Sequence, residues 1–417
     1  MGQLATIEDF TDDFDPFTAL YTTGGEGTMT NPLEQLAALG KKTPVVEADL
    51  HEAVGLRAQP NVAELGIKSY LLLTFDTCQD ALMNSAVFGS SINEKHIGMT
   101  FGASITSMDP PIHGKYRRLF QAGFTPKALG AYRERFEKVV DRIVDDLMKS
   151  NKADLVDQFA LQFPFSFIYS LLDLPESDRR VFHKLSAAQT CVVFDRAHGV
   201  EAGQKLGRYL TTLIDQRREL RSETDFVSLL ANAEVEGERL PEEVLLGFFR
   251  QLMNAGGDTS YHGFSNILAA LFTQPDQLKL VRDDRTLLPQ VIEEGLRWGA
   301  PLTTVDRVTD LDTVMAGVPM QKGAIVRVCV GAANRDDSIW ENPHTFDIMR
   351  ERKRLLAFGY GPHVCIGQHL ARMELQIALN ALLDRLPNVR LDPDMPPPSI
   401  RGLLFRGADA VNVTWDA

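Results

Sequence analysis

Ten residues near the C-terminal end, Phe358-Gly359-Tyr360-Gly361-Pro362-His363-Val364-Cys365-Ile366-Gly367, decide how the rest of the chain is read. Three glycines and a proline surround one cysteine, and an amphipathic segment from Gln368 to Leu386 follows at once. Gly359 and Gly361 permit backbone angles or close approaches that a Cβ forbids, and Pro362 restricts the bend. The spacing predicts a stiff loop presenting one sulfur at the start of a helix, where unpaired N–H groups and the helix dipole favour a thiolate. A sulfur held this way, with Gly367 two residues on, suits a metal carried in a planar group that lies against the backbone. The other reading of the same residues is a buried structural cysteine in a glycine-rich turn, the common fate of a lone thiol.

Composition narrows the choice. The chain has 417 residues, 44% hydrophobic and 24% charged, which is ample material for a core. A net charge of -13 argues against wrapping a nucleic-acid backbone. Cys78, Cys191, Cys329 and Cys365 are far apart and form no C-x-x-C pair, which argues against zinc and against a disulfide framework. Residues 1–30 are acidic and rich in Gly and Thr, carry no signal pattern and are expected to be loosely ordered. No apolar run is long enough to span a membrane. The expectation is a cytoplasmic protein.

Along the chain, residues 31–39 and 77–83 read as helices, and 44–46 and 69–75 as strands. The Gly-, Ser- and Asn-rich stretch from Ser85 to Ser107 has no clear period and reads as a long loop over a binding site. Asp109-Pro110-Pro111 marks a helix start. On that helix His113 and Arg117 share a face, either to hold an anion together or as a solvated basic face. Helical periods cover 132–149 and 159–172, with a less regular helical region from 177 to 221. The longest helix signal runs from about Pro241 to Thr273 and contains Ala255-Gly256-Gly257-Asp258-Thr259-Ser260. Each internal glycine costs about 1 kcal/mol relative to alanine, and an acid beside a threonine in an apolar helix is costly when buried. That stretch is either a packing kink or a place where chemistry needs open backbone and proton-bearing groups. Glu294 and Arg297 sit three apart, the spacing of an ordinary ion pair. Strand-type segments concentrate between residues 301 and 330.

The pattern Phe358-x-x-Gly361-x-His363-x-Cys365-x-Gly367 resembles the haem-binding loop of the cytochromes P450, the haem-thiolate monooxygenases. Ala255 to Ser260 resembles that family's distal-helix motif, and Glu294, Arg297 and Arg350 resemble its Glu-x-x-Arg pair with a downstream arginine. The resemblance implies a mainly α fold with a small β-rich subdomain, the haem lying between a long distal helix and the helix after the cysteine loop. Residues 1–417 are expected to form one such domain. Haem b would take Cys365 as the axial ligand of its iron, with Phe358, Gly359 and Gly367 in the loop and Ala255 and Gly256 on the distal side. His113, Arg117 and Arg307 would hold its propionates, and Glu294, Arg297 and Arg350 would lock the core behind the loop. Thr259 and Asp258 would relay protons. Leu355 departs from the soluble relatives, which often carry a propionate-binding histidine there, and Arg354 beside it is a candidate replacement.

The implied function is insertion of one O2-derived oxygen atom into a hydrophobic small molecule such as a terpenoid, steroid, fatty acid or aromatic. Electrons would come from a separate ferredoxin with an NAD(P)H-dependent reductase, docked on Lys115, Arg118, Arg354 and Arg372. Pocket segments are expected at 85–107, 187–194, 252–255, 302–304 and 403–405. Two rivals remain: a peroxygenase using H2O2, against which the acid–threonine pair argues, and a non-enzymatic haem sensor, against which the lack of a signalling domain argues.

Overall fold

Helices dominate the computed structural model, which describes residues 6–22, 27–57, 67–193 and 195–416, and the strands are short and gathered in small sheets. Backbone contacts gather into two units. One comprises Met1–Thr23, Gly89–Arg135 and Phe165–Asp258, the other Gly24–Phe88, Phe136–Pro164 and Thr259–Ala417.

In the second unit, Val45–Glu47 runs antiparallel to Ser69–Leu72, which runs parallel to Ile325–Val328, itself antiparallel to Val305–Thr309. Ser69–Leu72 and Ile325–Val328 are buried at every position, so both read as apolar runs rather than alternating strands. Ser69 and Arg327 are the polar exceptions, and Asp306 stands directly opposite Arg327 across the ladder, 3.6 Å away. Tyr70, Leu72, Val326 and Val328 pack with Cys78 and Leu82 of the Phe75–Met83 helix into one core cluster. The first N–H of that helix donates to Asp336 Oδ2 at 2.8 Å, a cap supplied from far along the chain.

Behind this core the Leu288–Trp298 helix carries Glu294 and Arg297 inward, 5% and 1% exposed. Arg297 grips Glu294 with two parallel bonds, Nε to Oε2 at 2.7 Å and Nη2 to Oε1 at 2.8 Å. Its remaining donors reach the carbonyls of Asn334 (3.0 Å), Pro343 (2.8 Å) and Thr345 (3.1 Å). Arg350 adds a contact to Glu294 Oε1 at 3.3 Å, and the Asp347 N–H donates to the same oxygen at 2.8 Å. The spacing of an exposed pair therefore serves a buried one.

In the first unit the Phe120 and Phe248 rings stack at 4.2 Å, and Tyr132, Phe226 and Phe249 extend that cluster edge to face. The stretch expected as a loop over 85–107 instead contains the Ile92–Phe101 helix and a short Ile105–Ser107 turn. Gly203 lets the Arg196–Leu220 helix close onto the end of that helix, because a Cβ there would stand 2.7 Å from the Thr100 carbonyl. The N-terminal segment, expected to be loose, buries Phe10 and pairs Glu8 with Arg208 and Asp9 with Lys184. No helix of the described residues is long and apolar enough to cross a membrane.

Removing Arg297 strands a buried carboxylate. Arg297→Ala should lower the unfolding free energy by about 3–5 kcal/mol, the cost of breaking one side of a buried pair, measured by urea titration. A loss below about 1 kcal/mol, the range of exposed pairs, would show that the interior pair carries no structural weight.

Candidate functional site

The cysteine loop is shaped by two left-handed glycines. Gly359 and Gly361 have φ of +68° and +67°, a region that side chains strain to enter. A Cβ on Gly361 would also stand 2.5 Å from the Leu82 carbonyl, so the loop presses onto the Phe75–Met83 helix at this point. The Cys365 N–H donates to the Phe358 carbonyl at 2.8 Å and closes the loop's neck. Upstream, the Leu356 N–H donates to Asn334 Oδ1 at 2.8 Å, and the Asn334 carbonyl is itself held by Arg297. The loop is thus tied to the buried ion pair by two residues. The Gln368–Arg385 helix begins three residues after the cysteine, with Gly367 at its cap.

The four thiols divide sharply. Cys78, Cys191 and Cys329 are 0% exposed, and burial pushes the last two up to about 12. Cys365 is exposed. The reading of Cys365 as a buried structural thiol therefore fails, while it fits the other three. Phe358 lies under the Arg372 guanidinium, 4.3 Å away, and Arg372 is held by both oxygens of Glu293. Arg354, the candidate replacement for the missing histidine, lies over the Tyr360 ring at 3.9 Å and donates to its hydroxyl at 3.3 Å. Its head is therefore engaged at the exposed rim of the loop. Arg307 is buried on the Val305–Thr309 strand, its Nη1 donating to the Asp306 carbonyl at 2.8 Å.

Cys365, Phe358, Gly359, Gly367, Arg307 and Thr259 belong to the second unit, and His113, Arg117, Ala255, Gly256 and Asp258 to the first. His113 is 2% exposed and Arg117 half-buried, one turn apart on the Ile112–Phe120 helix, so this is not a solvated basic face. Of the four basic residues expected to dock an electron donor, Lys115 already pairs with Glu238 and Arg372 with Glu293. Both acids come from sequence-distant elements, and each offsets the charge of its own partner.

The long helical run is regular over Glu242–Leu252 and Thr259–Phe272, and between them Met253–Asp258 widens into a π-helical turn. Gly257 is the packed glycine, since a Cβ there would overlap the Phe165 ring. Gly256 is looser, with Ile168 Cδ1 at 3.4 Å from a built Cβ, and Ala255 is exposed. Packing and opening thus occupy neighbouring residues. Desolvation pushes the Asp258 carboxyl up to about 7.

A second acid–hydroxyl pair was not legible in the sequence. Ser260 Oγ donates to Glu374 Oε1 across the Thr259–Phe272 and Gln368–Arg385 helices. Glu374 is buried, and desolvation pushes it up to about 8, more than the serine bond lowers it. Only its place on the core stripe of an amphipathic helix could have marked it.

A glycine-shaped loop that presents one exposed thiol just ahead of a helix is what an axial thiolate ligand would require. Comparison with known proteins identifies the family. The Cytochrome P450 family pattern matches residues 192–407. Cytochrome P450 107B1 of Saccharopolyspora erythraea is 32% identical, the match covering 84% of this chain and 89% of that protein. Cytochrome P450 monooxygenase PikC of Streptomyces venezuelae is 36% identical over 71% and 73% of the two chains. Among solved structures, the bacillaene polyketide synthase cytochrome P450 PksS of Bacillus subtilis superposes with a TM-score of 0.82 at 26% identity, covering 97% of this chain and all of that one. CYP109E1 of Bacillus megaterium, solved with testosterone, gives 0.80 at 26% identity over 93% and 100%. The chain belongs to the cytochrome P450 family and is a P450 monooxygenase, an oxidoreductase with the family's haem-iron cofactor. The residues present fit that group: one accessible thiol, a loop whose Gly359 has only the His363 carbonyl near a built Cβ, at 3.7 Å, and a buried Arg307 in the same unit.

Glu374 supplies a pH test. An ordinary glutamate loses its proton near 4.5, whereas Glu374 keeps it to about 8. Between those values the folded chain binds more protons than the unfolded one, so this residue lowers stability as pH rises and its effect levels off above the upper value. Glu374→Gln should gain stability relative to the parent across that window, measured by chemical unfolding at several pH values. A difference that does not change with pH would show an ionised Glu374.

Proposed function

We propose that this monooxygenase binds haem b with Cys365 as axial ligand and inserts one atom of O2 into a hydrophobic small molecule. The observation that carries this reading is the single exposed thiol, held on a loop tied to a buried ion pair. Phe358, Gly359 and Gly367 would form the proximal floor. Arg307, His113 and Arg117 would pair with the two propionates, since each is a buried or half-buried donor. Ala255 and Gly256 would face the distal side, where their small size leaves room. Bound haem iron supplies the activation of O2.

The chain's own residues supply the protons. Asp258, with its carboxyl near 7, both holds and releases a proton at neutral pH. Thr259 Oγ1, next in the chain, is the hydroxyl through which that proton would pass. Electrons would arrive from a separate ferredoxin-type donor with an NAD(P)H-dependent reductase. With Lys115 and Arg372 engaged by acids, Arg118 is the residue of the expected basic face best placed to steer it. The cytoplasm is the matching compartment.

Two measurements test this reading. Cys365→His should abolish the thiolate-type band of the reduced CO complex, and persistence of that band removes Cys365 as the ligand. In turnover with ferredoxin, reductase and NADH, Thr259→Ala should release more H2O2 per product formed, and Asp258→Asn should slow turnover about 10²-fold or more. Because the donor form of Asp258 fades above about 7, the parent's rate should fall on that side while the Asn variant's stays flat. Unchanged coupling and unchanged rate in the two variants would return the 255–260 stretch to packing alone. Product formed with H2O2 alone, or none under either condition, would favour the peroxygenase or the sensor.

A further inference from the structure

Arg250 is the one described arginine of the Glu242–Leu252 helix, and it points into the first unit rather than to solvent. Two glycines make its place. A Cβ on Gly207 of the Arg196–Leu220 helix would overlap Nη2, and one on Gly102, just past the Ile92–Phe101 helix, would stand 3.3 Å from Nη1. Its Nε is buried without a hydrogen-bond partner, and among the described residues no carboxylate pairs with the guanidinium. Burial lowers its pKa with no opposing acid. Taking a guanidinium partly out of water without an anion is unfavourable. A structural cation at the end of the Ile92–Phe101 helix would bond its last carbonyls, and among the described residues none accepts from Arg250.

The facing helix offers matching groups. Gln189 Nε2 donates to the Arg250 carbonyl at 3.1 Å, and Asn254 Nδ2 donates to the Ser186 carbonyl at 3.1 Å. These bonds seam the Glu176–Thr190 helix to the 250–254 turn and leave Gln189 Oε1 and Ser186 Oγ buried without partners. The turn that carries Arg250 therefore meets, on the facing helix, a buried acceptor and a buried hydroxyl that have no partners of their own.

We propose that Arg250 is an anion anchor that selects hydrophobic monocarboxylic acids as substrates of this monooxygenase. The planar guanidinium matches a carboxylate's two oxygens, and the Gln189 acceptor disfavours a second negative charge. Arg250 and Asp258 are eight residues apart on one helical run, about 12 Å at the α-helical rise of 1.5 Å per residue and somewhat less across the wider Met253–Asp258 turn. A carboxylate held at Arg250 would thus place the apolar body of the acid along the helix toward the proton-bearing end. This inference rests on the monooxygenase reading and names its substrate class.

The test is calorimetric titration of the haem-loaded enzyme with lauric acid and with lauramide, its uncharged counterpart. Lauric acid should bind roughly ten- to a hundredfold more tightly, the scale of charge-assisted hydrogen bonds. Arg250→Gln should erase that preference while lauramide binding stays within about twofold, and Arg250→Lys should restore part of it. Gly207→Ala keeps the charge but displaces Nη2, and should reduce the preference without removing it. Equal binding of acid and amide to the parent, with a lowered melting temperature in Arg250→Gln, overturns the proposal and makes Arg250 a structural cation. The CO spectrum of the same preparation reports separately on Cys365, so a failed anion preference and a failed monooxygenase reading are distinguishable.

Discussion

The buried grip of Arg297 on Glu294 is the constraint on which the cysteine loop depends. Two charges 1% and 5% exposed are tolerable only if nearly every donor and acceptor is used. The bidentate pair is so used, through the carbonyls of Asn334, Pro343 and Thr345 and the Asp347 N–H. That demand fixes the irregular chain between the strands and the loop, which has little regular structure of its own. Asn334 then passes the constraint on, its carbonyl to Arg297 and its side chain to the Leu356 N–H. The loop is rigid because a charge pair cannot afford to move.

Rigidity alone would bury the thiol as easily as present it. The difference is made by Gly359 and Gly361, whose left-handed angles turn the chain so that Gly361 meets the Leu82 carbonyl while Cys365 faces outward. The other cysteines sit where ordinary packing puts a small apolar side chain, and their raised pKa values keep them as neutral thiols. One sequence therefore holds cysteines of both kinds, separated by backbone geometry rather than by their immediate neighbours.

Legibility followed range. The cysteine loop and the Ala255–Ser260 stretch could be read because their glycines, acid and hydroxyl are adjacent in sequence, and local chemistry is what a sequence displays. The mainly α fold was legible for the same reason, from helical periods over single segments. The Ile92–Phe101 helix was not, because its own residues show little helical period and the neighbour that approaches it, Gly203, lies about a hundred residues on. The expected basic docking face was overestimated, since Glu238 and Glu293 lie in distant segments and cancel Lys115 and Arg372. Glu374 was invisible because its partner Ser260 lies 114 residues away.

The helical run through residues 255–260 shows how far packing accounts for one costly segment. Gly257 receives the Phe165 ring, which accounts for one glycine by contact alone. Gly256 and Ala255 are not needed for that contact, and the π-helical turn around them keeps this side of the helix open. The widened turn ends on Asp258, and the next two residues are hydroxyls, Thr259 and Ser260. Ser260 is committed to Glu374, a carboxyl that stays neutral at pH 7 and thus adds no charge to the interior. Burial raises the Asp258 carboxyl as well, to about 7, so the costly stretch places a second raised acid at the end of its widened turn. The fit of Gly257 against Phe165 accounts for one glycine and for neither acid, so packing alone does not explain the composition of this segment.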